Sequence, residues 1–189
     1  MFKSLIWKII TVFLYKRKQQ ESPGSFLTDE RSIYEERIFS KYVTIVFTLT
    51  AIFFLILAYW IGNKPYLPFS DGQLFFPFLL MIFISVNFST LKIKITLNGL
   101  SLRYGIMHYD ANWDKVDSSF INYSRAGKLL PGWGITITSA SQGGNRLNYI
   151  VPGKPEVICK MKEGLFEEVA FSSERPQIAI TAVEQGVRR

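Results

Sequence analysis

The sequence predicts an α-helical membrane hairpin followed by a small all-β domain that a C-terminal helix closes. Residues 42–62 and 74–91 are two long runs without a charged side chain. Beyond residue 91, apolar and polar residues alternate in short segments separated by turn residues, a pattern typical of strands. Only 20% of the 189 residues are charged and 48% are hydrophobic, whereas an ordinary soluble domain has roughly 25% charged residues.

Residues 1–18 predict an interfacial amphipathic helix. Residues 1–15 are mostly apolar, and their few polar residues share a narrow side of a helical wheel. These 15 residues are too few to cross a bilayer, and a basic cluster follows them in place of the cleavage site of a secretory signal. We expect the helix to lie on the inner leaflet, although packing on a partner or on the chain's own domain is an alternative. The cluster expected to contact anionic headgroups is Lys16, Arg17 and Lys18.

Residues 19–41 predict a polar linker followed by a juxtamembrane helix. Pro23 and Gly24 lie in the linker. Ser32 to Glu35 matches the S-x-x-E capping box that begins many helices. We expect this helix to continue into the first membrane span.

Residues 42–91 predict two antiparallel membrane spans joined by a short loop. At 1.5 Å per residue the first run extends about 31 Å, which covers a hydrocarbon core of about 30 Å. Pro77 is expected in the first turn of the second helix, where its missing N–H does little harm. The alternative is a pair of buried helices in a soluble protein, but neither run has a polar face.

The Lys and Arg residues predict the orientation of the hairpin. Residues 1–41 carry eight of them, whereas the loop between the spans carries only Lys64. The positive-inside rule then places both termini in the cytoplasm. We therefore expect a multi-pass protein of a bacterial-type inner membrane, either plasma or thylakoid.

Small and polar residues recur at helical spacing near the inner ends of both spans, where they allow close helix packing. Asn87 is the costliest polar side chain in either span, and it is expected to bond across the hairpin or to face a partner. No ionisable residue lies within the spans, which argues against a transport pathway. The residues predicted to pack the helices or contact a partner are Thr44, Thr48, Ala51, Ser85, Asn87 and Ser89.

Residues 92–189 predict a cytoplasmic domain of seven or eight short strands and one helix, closed into a small barrel. Asn98-Gly99 is a strong hairpin signal, and as a two-residue turn it places Lys94 opposite Arg103. The C-terminal helix is expected after Ser173. The strands are expected near residues 91–97, 100–106, 109–113, 119–123, 134–139, 146–151, 157–162 and 165–172. The outward residues expected to contact an anionic membrane surface or an acidic partner, with a solvated face as the alternative, are Lys92, Lys94 and Arg103.

Three segments carry a resemblance of pattern: ITLNGLSLRYGI at residues 95–106, WDKV at 113–116 and VAFSSERPQIAITAV at 169–183. Together with the preceding spans they resemble the bacterial pleckstrin-homology-like (PH-like) two-span membrane proteins. The resemblance covers residues 42–185. It implies a barrel of about seven strands used for binding or assembly, and it carries over no ligand residue.

A second resemblance is local. Residues 62–77, which contain GNK and FSDGQLFFP, resemble the hairpin loop of the photosystem I assembly factor family of cyanobacteria and plastids. That family also has two spans followed by a soluble domain. The resemblance implies a role in the assembly of a membrane complex.

Residues that perform chemistry are scarce. With one His and one Cys, the chain has neither the residues for a two-histidine metal site nor those for an internal disulfide. It also contains no Ser-His-Asp, paired-carboxylate or nucleotide motif. We therefore expect a protein that is not an enzyme and that holds no cofactor or metal.

The charge points to the same class of partner as the spans do. A net charge of +7 suits an anionic leaflet better than a nucleic acid. We expect the partners to be the lipid bilayer and a membrane protein complex, for which the chain acts as a binding or scaffold protein. The alternative is a small integral subunit or assembly factor of a larger photosynthetic or energy-transducing complex, which it contacts through its spans.

Overall fold

The computed structural model describes residues 32–62, 71–123, 133–141 and 143–188. The interfacial helix predicted over residues 1–18, with its cluster of Lys16, Arg17 and Lys18, lies outside these residues. The elements, in chain order, are β1 (Ser32–Phe39), α1 (Lys41–Gly62), α2 (Asp71–Asn87), β2 (Thr90–Thr96), β3 (Gly99–Tyr104), β4 (Met107–Asn112), a 3₁₀ turn (Trp113–Lys115), β5 (Val116–Asn122), β6 (Gly134–Ser139), β7 (Asn145–Ile150), β8 (Glu156–Met161), β9 (Glu168–Ser172) and α3 (Pro176–Val187).

The strands form two sheets, and the predicted closed barrel is not found in the part of the chain that the structure describes. The first sheet has the order β1-β2-β3-β4, and the second has the order β5-β8-β9-β7-β6. The chain leaves the first sheet through the 3₁₀ turn, where the indole N–H of Trp113 donates to the carbonyl of Thr96 at 3.1 Å. This bond holds the turn over the end of the first sheet, and β5 continues from it into the second sheet.

The strand β1 replaces the juxtamembrane helix that was predicted after residue 31. It pairs antiparallel with β2 along nearly its whole length. Its buried side chains are Tyr34, Glu36 and Ile38, which alternate with exposed ones as in a half-buried strand. The capping-box pattern failed because Glu35 points outward on a strand and caps no helix. The β domain therefore begins before the hairpin, not at residue 92.

The helices α1 and α2 lie between β1 and β2 along the chain, and they pack against each other. Of the helices within the described residues, α1, over Lys41–Trp60, is the one long and apolar enough to cross a membrane by length and composition. The apolar part of α2, Phe75–Asn87, is shorter, because β2 begins at Thr90 and ends the predicted second run early. Since α2 begins at Asp71, Pro77 lies inside this helix and not in its first turn.

The apolar faces of the two sheets form one buried cluster. The rings of Tyr104 and Tyr149 stack across it with centroids 6.3 Å apart. The hydroxyl of Tyr104 donates to the carbonyl of Ile150 at 3.2 Å, so its polar end is satisfied inside the core. The helix α3 covers β5 and adds Ala179, Ala182 and Val183 to the buried surface. The predicted C-terminal helix is therefore confirmed.

A buried carboxylate ties β1 to the segment before α3. Glu36 accepts hydrogen bonds from the hydroxyls of Tyr34 and Ser173, both at 2.7 Å, and from the backbone N–H of Glu174 at 2.8 Å. Burial raises the pKa of Tyr34 to about 12, so this hydroxyl keeps the proton that it donates. Three donors satisfy the carboxylate and offset the cost of burying it.

Glu36→Ala should destabilise the domain by roughly 3 kcal/mol, because it leaves buried donors from two segments without their shared acceptor. The matched control is Glu35→Ala, one residue away on the exposed side, where Glu35 forms a surface ion pair with Arg37 at 2.9 Å. That change should cost less than about 1 kcal/mol. Unfolding of the full chain in mild detergent measures both, and equal losses would contradict the role assigned to Glu36.

Candidate membrane-facing surface

The candidate surface lies where the helices α1 and α2 join the first sheet. Ser40 follows β1, and its backbone N–H donates to the carbonyl of Ser89 at 2.7 Å. Phe39 and Thr90 are the last partners in the pairing of β1 with β2. The hydroxyl of Thr44 donates to the carbonyl of Ser40 at 3.0 Å and secures the start of α1. The two helices therefore begin and end at adjacent, hydrogen-bonded strands.

Four basic side chains align across all four strands of this sheet, one level from that junction. Arg37 pairs with Lys92, Lys92 with Arg103, and Arg103 with His108. All four residues are exposed. We call Arg37, Lys92, Arg103 and His108 the basic row.

The predicted pairing of Lys94 with Arg103 is wrong by two residues. Ile95 pairs with Leu100, and Lys94 pairs with Ser101. The cause is the side chain of Thr96, whose hydroxyl oxygen accepts from the backbone N–H of Asn98 at 3.3 Å and of Gly99 at 3.2 Å. With these bonds, four residues (96–99) lie between the last paired residues, Ile95 and Leu100, where a connection of two residues was expected.

The next level of the same face has mixed charge. Across it lie Glu35, Lys94, Ser101 and Asp110, in register from β1 to β4. Lys94 therefore has a carboxylate-bearing residue on the neighbouring strand. Of the three cations predicted to form one patch, Lys92 and Arg103 lie in the basic row and Lys94 does not.

Sequence reasoning missed Arg37 and His108 as members of this surface. The capping-box pattern predicts a helix at Arg37, whereas this residue shares the exposed side of β1 with Glu35 and Phe39. His108 was placed between strands, whereas it lies in β4 opposite Arg103. The partial signal for Arg37 is the pair of apolar residues Tyr34 and Ile38, which have the even spacing of one side of a strand.

Two exposed apolar side chains lie at the junction end of the sheet. Phe39, on the same side of β1 as Arg37, is 52% exposed, and Ile106, in the turn between β3 and β4, is 58% exposed. We call Phe39 and Ile106 the apolar rim. Between the rim and the basic row, the Nε of Arg103 donates to the carbonyl of Gly105 at 2.8 Å. This bond directs the Arg103 side chain towards the rim.

Asn87 fastens the turn between β3 and β4 to the end of α2. Its Oδ1 accepts from the backbone N–H of Ile106 at 3.3 Å, and its Nδ2 donates to the carbonyl of Phe83 at 2.8 Å. Gly105, with φ of +51°, packs directly against Asn87. The predicted bond across the hairpin is therefore replaced by a bond to the β domain.

The remaining predicted packing residues lie either in the interface between α1 and α2 or at the junction of the helices with the first sheet. The hydroxyls of Thr48 and Ser85 lie 3.4 Å apart across the two helices, and Ala51 is fully buried. Thr44 bonds within the junction as described, and the hydroxyl of Ser89 donates to the carbonyl of Val86 at 2.9 Å. Thr48, Ala51 and Ser85 thus lie in the helix interface, whereas Thr44 and Ser89 form the helix ends.

Aromatic side chains attach both sheets to the helices. The ring of Trp133, just before β6, meets the ring of Phe47 in α1 edge-on, with centroids 5.3 Å apart. Phe88, just after α2, contacts the ring of Tyr104 at 5.7 Å. Each sheet therefore touches the helix pair.

The arrangement offers charge and apolar area for contact. In the part of the chain that the structure describes, no three His, Cys, Asp or Glu side chains are grouped so that they could hold a metal ion. What the residues can do is present three Lys and Arg cations and one imidazole in a line beside exposed apolar side chains. Such a surface suits an interface between apolar and anionic material.

Gly105→Ala should loosen the turn from α2 and destabilise the domain by roughly 2–3 kcal/mol, because the added Cβ meets a positive φ and comes within 2.8 Å of the Cα of Asn87. Gly153→Ala is the control, since Gly153 has φ of +79° and nothing within 4 Å of an added Cβ. It should cost only the backbone strain, about 1 kcal/mol. Thermal unfolding in detergent compares them, and equal shifts would remove the contact with Asn87 as a cause.

Comparisons with protein-family models, with curated proteins and with solved structures found no match to this chain. The resemblances to the PH-like membrane proteins and to the photosystem I assembly factors therefore stay predictions. The geometry that supports a function is the junction itself: the helix ends, the basic row and the apolar rim.

Proposed function

We propose that this chain is a non-enzymatic, membrane-anchored binding or scaffold protein. Its β domain docks at the inner leaflet and contacts a membrane protein complex. The observation that carries the proposal is the junction, where the ends of both helices continue into adjacent paired strands. A domain attached at two neighbouring points without a linker stays beside the membrane that its helices enter.

We place both helices in the bilayer as a hairpin. The support is that α2 packs along α1 and exposes large apolar side chains such as Phe76, Phe83 and Val86. At 1.5 Å per residue, α2 is about 25 Å long, somewhat less than a hydrocarbon core of about 30 Å. A short helix is accommodated by local thinning of the bilayer or by burial against its longer neighbour.

The orientation in this proposal follows the basic residues. Arg37, Lys92 and Arg103 flank the junction ends of α1 and α2, and the positive-inside rule favours that end in the cytoplasm. The β domain and both termini are then cytoplasmic, in a bacterial-type inner membrane.

The second candidate is a small integral subunit or assembly factor that contacts a larger complex through its helices. The observation favouring it is the large exposed apolar surface of α1. Only 11% of the apolar window that could span the membrane is buried. Lipid covers such a surface as well as a protein does. Asn87, expected to serve as a polar contact for a partner, is bonded to Phe83 and Ile106 within the chain. That bonding favours the scaffold.

Cysteine labelling tests the orientation. In intact cells, Ser70→Cys, in the segment between α1 and α2, should react with a membrane-impermeant maleimide. Ser118→Cys, exposed in β5, should react only after lysis. The native Cys159 gives little background, because it is buried and burial raises its pKa to about 12. Labelling of Ser118→Cys in intact cells would put the β domain outside and overturn the assignment to the inner leaflet.

Purification of the full chain from mild detergent tests the function. We expect chemical cross-linking before solubilisation to capture a membrane protein, and gentle solubilisation without cross-linking to release most of it, as for a scaffold. A stable complex of fixed stoichiometry would favour the integral subunit instead. Recovery of the chain alone, even after cross-linking, would contradict both.

A further inference from the structure

We propose that the outer face of the first sheet binds anionic lipid headgroups through the basic row, while the apolar rim enters the boundary between headgroups and acyl chains. The inference deepens the proposed function, on whose membrane anchoring it rests. It names the ligand of the docking surface as the phosphate-bearing headgroups of an anionic leaflet. It also brings Arg37, which the sequence did not suggest, into this surface.

The basic row lies close enough to the helix ends to reach the headgroup layer. The row is two residues from Phe39 and Thr90, where the sheet meets the helices. At about 3.3 Å per residue, its height above the junction is no more than about 7 Å. The interfacial layer on each side of the hydrocarbon core is about 5–8 Å thick. Side chains of Lys and Arg at this level therefore reach phosphate groups without lifting the helices.

The charge of the face is graded from the junction outward. In the basic row, Lys92 lies between Arg37 on one side and Arg103 on the other. Cations directly opposite one another on neighbouring strands repel each other. The carboxylates of Glu35 and Asp110 lie one level farther from the helices. A surface that is positive near the membrane and mixed beyond it attracts an anionic leaflet. Because Glu35 contacts Arg37, Lys92 and Arg103 supply most of the positive charge of the row.

Arg37 and Arg103 differ in how they are held. Arg37 is shared with Glu35, whose carboxylate its guanidinium contacts at 2.9 Å. Arg103 donates its Nε–H to the carbonyl of Gly105, which holds the guanidinium at the turn between β3 and β4. A guanidinium oriented in this way can bind a phosphate through paired hydrogen bonds. We therefore assign the principal headgroup contact to Arg103, with Lys92 beside it.

The apolar rim supplies the second half of the contact. Phe39 and Ile106 flank the junction at the edges of the same end of the sheet and are more than half exposed. The backbone N–H of Ile106 is held by the side chain of Asn87, and this bond does not involve the side chain of Ile106. Its side chain therefore extends from a fixed turn. Apolar side chains beside cations are the combination by which amphipathic surfaces enter a membrane interface.

The test places a reporter on the face of the full chain in lipid nanodiscs. Ser101→Cys, one level beyond the basic row, carries an environment-sensitive fluorophore, and lipids with a nitroxide on the headgroup quench it. Leu97→Cys, exposed in the connection at the far end of the sheet, is the distant control. Nanodiscs of phosphatidylcholine are compared with an equal mixture of phosphatidylcholine and phosphatidylglycerol.

We expect stronger quenching at residue 101 in the anionic nanodiscs than in the zwitterionic ones, and little at residue 97 in either. Added salt should reduce the quenching, because it screens exposed charges. Each basic residue near an anionic surface changes the ratio of docked to undocked domain by about fivefold. The triple variant R37Q/K92Q/R103Q should therefore lower that ratio on the order of a hundredfold.

The charge-matched control is K115Q/K162Q/R188Q, which removes three exposed cations elsewhere on the domain and should leave quenching unchanged. Equal loss with both triple variants, or equal quenching in both lipids, would overturn the inference. In the latter case the domain stays anchored and the proposed function stands. A chain that fails to enter nanodiscs at all would overturn the anchoring and the proposed function together.

Discussion

The pairing of β1 with β2 is the interaction on which the rest of the structure depends. It registers Arg37 with Lys92 and Phe39 with Thr90, and so it fixes both the chemistry of the exposed face and the positions of the helix ends. Its buried side contributes Ile38 and Glu36 to the core, where Glu36 reaches the segment before α3. Without β1 the first sheet would lose an edge strand, its basic row would lose Arg37, and α1 would be tethered at one end only.

The helices and most of the β domain were predictable because their signals are local. Uncharged runs and period-two alternation need no knowledge of partners, and eight of the nine strands lie where alternation and turn residues put them. The strand β1 was missed because its buried side contains a carboxylate. Glu36 breaks the apolar alternation, and two of its three donors, Ser173 and Glu174, lie more than a hundred residues later in the chain. Their hydrogen bonds help to make its burial tolerable.

The exposed face was predicted only in part, for a related reason. The side chains of a strand that share one face can be identified from its own sequence. Its register with a neighbouring strand depends on the turn between them. One hydroxyl, on Thr96, lengthened that turn and shifted the cross-strand partners of Lys94 and Lys92 by two residues. The two sheets likewise depend on Trp113, whose indole bond to Thr96 joins residues that no short-range pattern connects.

The insertion of two helices between paired strands has a consequence for the order of events during synthesis. When β1 leaves the ribosome its partner does not yet exist, and the two are separated by a loop of about 50 residues, a length at which closing an unstructured chain is entropically unfavourable. The antiparallel packing of α1 and α2 returns the chain to its starting point and removes most of that penalty. Assembly of the helix pair is thereby a precondition for completing the first sheet. A chain whose hairpin has not formed would display β1 and β2 as two open edges, the kind of surface that aggregates or is recognised by quality-control proteases.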